Sequence, residues 1–237
     1  MKKTIAILLF ISILLFIGQD CSSSAPTVKS FGIGKNTFLL NGKPFVIKAA
    51  EIHYARIPTE YWEHRIKMCK ALGMNTICIY TFWNIHEQTP GNFNFTGQND
   101  IAAFCRLVEK HGMYIILRPG PYACAEWEMG GLPWWLLKKQ DLRVRSNDPY
   151  FLERSRLYLQ QIGKQLAGFQ ITRNGNLIMV QIENEYGSYN TDKAYVANIR
   201  DMVKEAGFTD VPLFQCDWAS NCKNNGLDDL LWTINFG

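Results

Sequence analysis

Leu177-Ile-Met-Val-Gln-Ile-Glu-Asn-Glu-Tyr-Gly187 has two halves of opposite character. The first is a continuous apolar run, the pattern of a strand buried on both faces. The second releases two carboxylates, an amide, a phenol and a glycine. A buried strand that empties polar residues at its C-terminal end is how a (β/α) barrel builds an active site. Paired carboxylates are the equipment of glycoside hydrolysis. Taken alone, the segment also fits a core strand running into a polar turn, and the rest of the chain decides between the two.

Working outward, the same alternation repeats on both sides. Phe38-Leu-Leu-Asn-Gly-Lys-Pro-Phe45 carries an Asn-Gly turn signal between apolar runs and predicts a β-hairpin that caps the bottom of the domain. Strands are expected at 45–52, 74–80, 113–117, 177–183, 211–216 and 230–235. Helices are expected at 58–72, opened by Pro58 and closed by Gly73, and at 100–111, with Ile101, Phe104, Cys105 and Val108 on one face. Two more are expected at 149–168 and 192–206. Between strand and helix lies a long glycine- and aromatic-rich excursion, Ala123 to Trp135, of the kind that carries function.

Apolar strands alternating with helices mean a parallel sheet, and polar residues gathered at the strands' C-terminal ends favour a barrel. A doubly wound sheet would want a glycine-rich turn after the first strand, and Glu51-Ile-His-Tyr54 is nothing like one. The expected class is therefore α/β, a (β/α)8 TIM-barrel type. The 237 residues fall just short of the roughly 250 of a complete barrel. Six strands are found before Gly237, so the barrel is expected to be truncated after about six.

Lys2 and Lys3 precede an apolar run from Ile5 to Ile17, which matches a signal peptide and is too short for a comfortable membrane span. The division expected is 1–24 as signal peptide and leader and 25–237 as the partial barrel. Export to the periplasm, cell surface or medium follows. Cys21 is a candidate lipidation site and the one expected link to a membrane, although Asp20 stands where such a site wants a small residue. With a net charge of +4 and no long basic run, nucleic acid is a poor partner. Oligomeric state is left open. Of the seven cysteines, Cys69, Cys78 and Cys105 sit in core elements as small hydrophobes, whereas Cys216 and Cys222 are close enough in sequence to pair. No His or Cys spacing points to a metal, and no G-x-S-x-G elbow to a serine hydrolase.

Glycoside cleavage needs a general acid and a second carboxylate acting as nucleophile or base. Glu185, nearest the rim, is the candidate acid, and Glu183 is assigned a structural part. If Asn184 and Glu185 both face the site, the strand must kink or end there. Glu51 and Glu87 also end strands and are candidates for the second carboxylate. Tyr80, His53, Tyr54, Trp83, Tyr122 and Trp127 lie at or just after strand ends and are expected to gather on one face. Arg56 and Arg118 are expected to hold the site carboxylates.

These residues form long motifs: Glu51-Ile-His-Tyr-Ala-Arg-Ile-Pro58, Tyr80-Thr-Phe-Trp-Asn-Ile-His-Glu87, Arg118-Pro-Gly-Pro-Tyr-Ala-Cys-Ala-Glu-Trp-Glu-Met-Gly-Gly-Leu-Pro133 and Gln181-Ile-Glu-Asn-Glu-Tyr-Gly187. Through them the chain resembles the catalytic domain of glycoside hydrolase family 35, the retaining β-galactosidases, from about Phe38 to Gly237. The resemblance implies release of terminal β-D-galactosyl residues by double displacement, with no cofactor. It implies Glu185 as acid/base and Asn184 as the contact to the sugar 2-hydroxyl. It implies a galactose pocket lined by Tyr80, Cys124, Ala125 and Glu126. It also implies a nucleophilic Glu at the end of a seventh strand, which these residues do not include. The chain as written is thus expected to be an inactive fragment. A related exo-β-glycosidase of other sugar specificity and a non-catalytic carbohydrate-binding remnant are the alternatives.

Overall fold

The computed structural model describes residues 28–236. The expected signal peptide and Cys21 lie outside them. A small antiparallel sheet comes first: β1 (Phe31–Ile33), β2 (Phe38–Leu40) and β3 (Lys43–Phe45). Asn41 and Gly42, at φ 51° and 75°, make the two-residue turn that the Asn-Gly pair predicts. Phe45 meets Tyr114, the first residue of a barrel strand, edge to face at 5.4 Å, so the hairpin covers the N-terminal end of the barrel.

The second sheet holds β4 (Ala49–Glu51), β5 (Thr76–Tyr80), β6 (Tyr114–Arg118), β7 (Leu177–Gln181), β8 (Leu213–Trp218) and β9 (Leu231–Asn235), all parallel. Their order in space is their order in the chain. A doubly wound sheet reverses direction at a switch point. This one never does, and each strand is simply added beside the last, as in a singly wound (β/α)8-type barrel.

The first barrel strand is shorter than its apolar run predicts. Phe45 belongs to the hairpin, and the Asn75 side chain holds the segment between by accepting from Lys48 N at 2.9 Å and donating to Val46 O at 2.8 Å. A side-chain amide that takes the backbone's bonding groups ends a ladder there.

Helices α1 (Thr59–Ala71), α2 (Ile101–Lys110), α3 (Pro149–Leu166) and α4 (Lys193–Glu205) cross between successive strands from β4 to β8. Three start on an aspartate. Asp100, Asp148 and Asp192 each accept backbone N–H bonds in the first turn, and Pro149 takes the first helical position. The predicted apolar face of α2, Ile101, Phe104, Cys105 and Val108, is buried. Every residue of β7 is buried, as the opening segment requires. No helix of the described residues is long and apolar enough to cross a membrane.

The Cys216–Cys222 pairing is corrected, since both thiols are free. Strand β8 runs on to Trp218, which keeps Cys216 inside the sheet with its Sγ 3.0 Å from Asn235 Oδ1. Cys222 lies beyond the turn, beside Ala219 O.

Candidate active site at the strand ends

Strand β7 delivers the site through a kink. Ile182 still bonds β8 through Phe214 O at 2.7 Å. Glu183 and Glu185 then take φ of 56° and 47° with Asn184 between them. Left-handed backbone costs a non-glycine residue about 1 kcal/mol or more and persists only where its surroundings enforce it. Here the enforcement is visible. Glu183 is buried and accepts from Arg145 Nη2 at 2.6 Å, Arg145 Nε at 3.1 Å, Tyr195 Oη at 2.8 Å and Asn184 N at 2.7 Å. Its oxygens are spent on the fold, which is the structural part assigned to it. Glu185 stands half-buried one step further on, and its Oε1 accepts from the Asn235 side chain at the end of β9.

Asn184 has a determined orientation. Its Oδ1 accepts from Arg118 Nη2 at 2.7 Å and from Gln181 Nε2 at 3.1 Å. Arginine has only donors to offer, so the amide oxygen must face it. The Asn184 Nδ2 group is thereby turned the other way, ready to donate to a ligand oxygen.

Arg118 ties the site together. Its guanidinium lies over the Tyr80 ring at 4.1 Å, and its Nη1 donates to Glu51 Oε2 at 3.0 Å. Burial works against the Glu51 charge, but His53 and Arg118 outweigh it and hold the carboxyl below its usual range. Glu51 is therefore Arg118's counter-ion, not a free second carboxylate. Glu87 is fully buried; it accepts from Trp83 Nε1 and from Gly91 N, both at 2.6 Å, and pairs with Arg154. That engagement removes it from any contact with substrate.

The loop that follows β6 is itself a run of strained backbone. Cys124, Ala125 and Glu126 have φ of 65°, 55° and 47° in succession. Arg56 Nη2 donates to Ala125 O at 2.7 Å and Glu126 O at 2.8 Å. Trp127 stacks on Phe82 at 4.2 Å and donates its indole N–H to Asn84 Oδ1 at 2.9 Å. The loop closes at Gly130, where a Cβ would lie 2.0 Å from the Tyr122 ring. Arg56 thus holds loop carbonyls, not a carboxylate, because the left-handed turns point those carbonyls at it.

Tyr80 and Ala125 share one small buried cluster, and Arg118 links Tyr80 to Asn184 beside Glu185. Glu126 is exposed, and among the described residues no hydrogen bond joins Cys124 or Glu126 to Glu185. His53 meets Tyr80 edge to face at 5.3 Å, whereas Tyr54 and Trp83 are fully buried and belong to the core.

Sequence reasoning passed over four residues. Arg145 and Tyr195 anchor Glu183 from the long loop and from α4; a partner 38 residues away leaves no local pattern. Asp217 and Asn235 end β8 and β9, and the strand-end rule that selected Glu185 selects them too. Asp217 is buried and accepts from Gly187 N at 2.6 Å, which pins the turn that follows Glu185. Burial pushes its carboxyl up to about 6 against the Gly187 N–H, and the carboxylates of Glu183 and Glu185 push the same way.

Compared with known proteins, residues 37–237 match the family described as glycosyl hydrolases family 35. A beta-galactosidase of Xanthomonas manihotis is 46% identical over 207 residues, covering 87% of this chain and 35% of that protein. A beta-galactosidase of Homo sapiens is 38% identical over 238 residues, covering 98% of this chain and 35% of that protein. The chain spans about a third of the length of these curated relatives. Among solved structures, GH5_18 from Streptomyces cattleya in complex with GlcNAc aligns with a TM-score of 0.58 at 12% identity over 73% of this chain and 45% of that one. That likeness concerns the barrel alone.

Proposed function

This chain belongs to glycosyl hydrolases family 35, and from that premise we propose that it forms the acid/base half of a retaining exo-β-galactosidase site. The carrying observation is the kinked end of β7, which ties Glu183 into the fold, leaves Glu185 at the rim and turns the Asn184 amide donor outward. In this reading Glu185 protonates the glycosidic oxygen as the leaving group departs, then takes a proton from the attacking water. Asn184 Nδ2 donates to the sugar 2-hydroxyl. Tyr80, Cys124, Ala125 and Glu126 line the galactose pocket, and the Glu126 carboxylate can accept from two hydroxyls at once.

The nucleophile of a double displacement is not assigned to β4–β9. The 237-residue chain assayed alone is expected to bind galactose without turning over an aryl β-galactoside. The test is a protein of the relatives' length carrying Glu185→Gln. Its kcat on a galactoside with a poor leaving group should fall by about 10²–10⁴, with a much smaller loss for an activated aryl leaving group that needs no protonation. Equal losses on both substrates would remove Glu185 from the role. A glucoside or glucosaminide hydrolysed faster than the galactoside would move the reading to a related exo-β-glycosidase. Export through the N-terminal segment belongs to the same proposal. It predicts a mature N-terminus after the leader, with a lipid mass on Cys21 as the rival outcome.

A further inference from the structure

Two hollows lie beside the strand ends, and neither is lined by Tyr80, Asn184 or Glu185. One, of about 580 Å³, has Gln88, Thr89, Trp134, Lys138, Lys139 and Tyr150 among its walls. The other, of about 560 Å³, shares Gln88, Thr89 and Trp134 and continues to Trp127 and Glu128. The shared walls make them one groove. Trp127 directly follows the Cys124–Glu126 loop, so the groove leads outward from the galactose pocket proposed above. Each hollow is of the size that takes a small organic ligand.

The floor of the groove is rigid. Trp135 donates its indole N–H to Glu87 O at 2.8 Å and sits edge-on to Trp83 at 5.9 Å, above the buried Glu87–Arg154 pair. Its wall is different. Trp134 is 52% exposed, and Lys138 and Lys139 lie over the Trp134 and Tyr150 rings at 4.7 and 5.3 Å. Among the described residues the lysines that pair with carboxylates are Lys67, Lys110 and Lys204; Lys138 and Lys139 are not among them. No carboxylate lines the first hollow. An exposed indole offers a flat apolar face, and two unpaired ammonium groups beside it offer positive charge. On a sugar-cleaving scaffold, a pyranose ring that carries an anion uses both.

We propose that this groove is a second carbohydrate subsite that holds an anionic sugar ring, whose C–H face takes the place of the Lys138 ammonium on Trp134 as Lys138 and Lys139 turn to its carboxylate or sulfate. The choice of a sugar rests on the glycosidase reading. The charge and the aromatic wall do not. The hollow nearer the galactose pocket, with Glu128 as its charged wall, takes the neutral part of the same glycan.

The test is titration calorimetry of the purified chain with trigalacturonate, a sulfated galactose disaccharide and neutral galactotriose. At least one anionic ligand should bind about ten-fold or more tightly than the neutral one, with affinity falling as salt rises; which anion wins identifies the source. Trp134→Ala should weaken binding about ten-fold, and Trp134→Phe, which keeps a ring, should restore part of it. The double variant Lys138→Gln/Lys139→Gln should erase the preference for anions. Equal affinity for the neutral trisaccharide, wild-type binding by Trp134→Ala, or no binding of either anionic ligand overturns the proposal. Binding of free galactose, expected to depend on Asn184 and not on Trp134, reports separately on the first site, so either reading can fail without the other.

Discussion

Glu183 and Glu185 are the same residue type two positions apart, yet the fold gives them different work. Glu183 is enclosed by Arg145, Tyr195 and its own neighbour's N–H, so it acts as the anchor of the kink. Burial works against the charge on Arg145, but the Glu183 carboxylate beside it raises its pKa and keeps the guanidinium charged. Glu185 meets one side-chain donor, Asn235, and faces the rim. Asp217 adds a titration to this corner. Its carboxyl is raised from the ordinary 3.8 to about 6. A carboxyl with a raised folded-state pKa binds its proton more tightly in the folded chain. Its contribution to stability is full below 3.8 and is lost as pH rises through about 6. Asp217→Asn keeps an acceptor for Gly187 N and removes the buried charge. Thermal melts should therefore show the variant gaining on the wild type between pH 4 and pH 7. A constant difference across that range would mean that Asp217 does not titrate there.

At the scale of elements, helices α3 and α4 are held close by a missing side chain. A Cβ on Gly163 would lie 2.0 Å from Ala206 O, a backbone atom that cannot swing aside. In an isolated helix, alanine is better than glycine by about 1 kcal/mol. Here overpacking reverses the sign: Gly163→Ala should destabilise the chain by about 1–3 kcal/mol in urea unfolding. A gain in stability would show that the two helices can separate at little cost. The aspartate caps act in the ordinary direction. Asp148→Ala should cost about 1 kcal/mol by the same measurement, since Tyr150 N and Phe151 N lose their acceptor.

For the whole molecule, the sheet has two edges. Strands β4 and β9 each have one neighbour among the described strands. Apolar side chains stand exposed near both, Met68 on α1 and Leu72 just after it by β4, and Trp232, Ile234 and Phe236 on and after β9, the last at 83% exposure. Unpaired edges and contiguous apolar surface favour association with other chains. The 237-residue chain on its own should self-associate with rising concentration in sedimentation velocity. Ile234→Lys, which charges the exposed face of β9, should reduce that association. A monomer at all concentrations would mean that these surfaces are too small to act.

The amino-acid sequence alone determined the alternation of strand and helix, the aspartate and proline starts of the helices, the Asn-Gly hairpin and the polar ends of the strands. Each of these is a local choice, written in periodicity and in residues with a single conformational use. It also singled out Glu185 and Asn184, because a polar burst after an apolar run is visible within eleven residues. Only the tertiary structure decided that Glu51 and Glu87 are already engaged, that Arg56 holds carbonyls, that Cys216 and Cys222 stay apart, and that Arg145 and Tyr195 support the kink. Those outcomes depend on which groups meet across the barrel. A charge says nothing of its partner until packing brings one within hydrogen-bond reach.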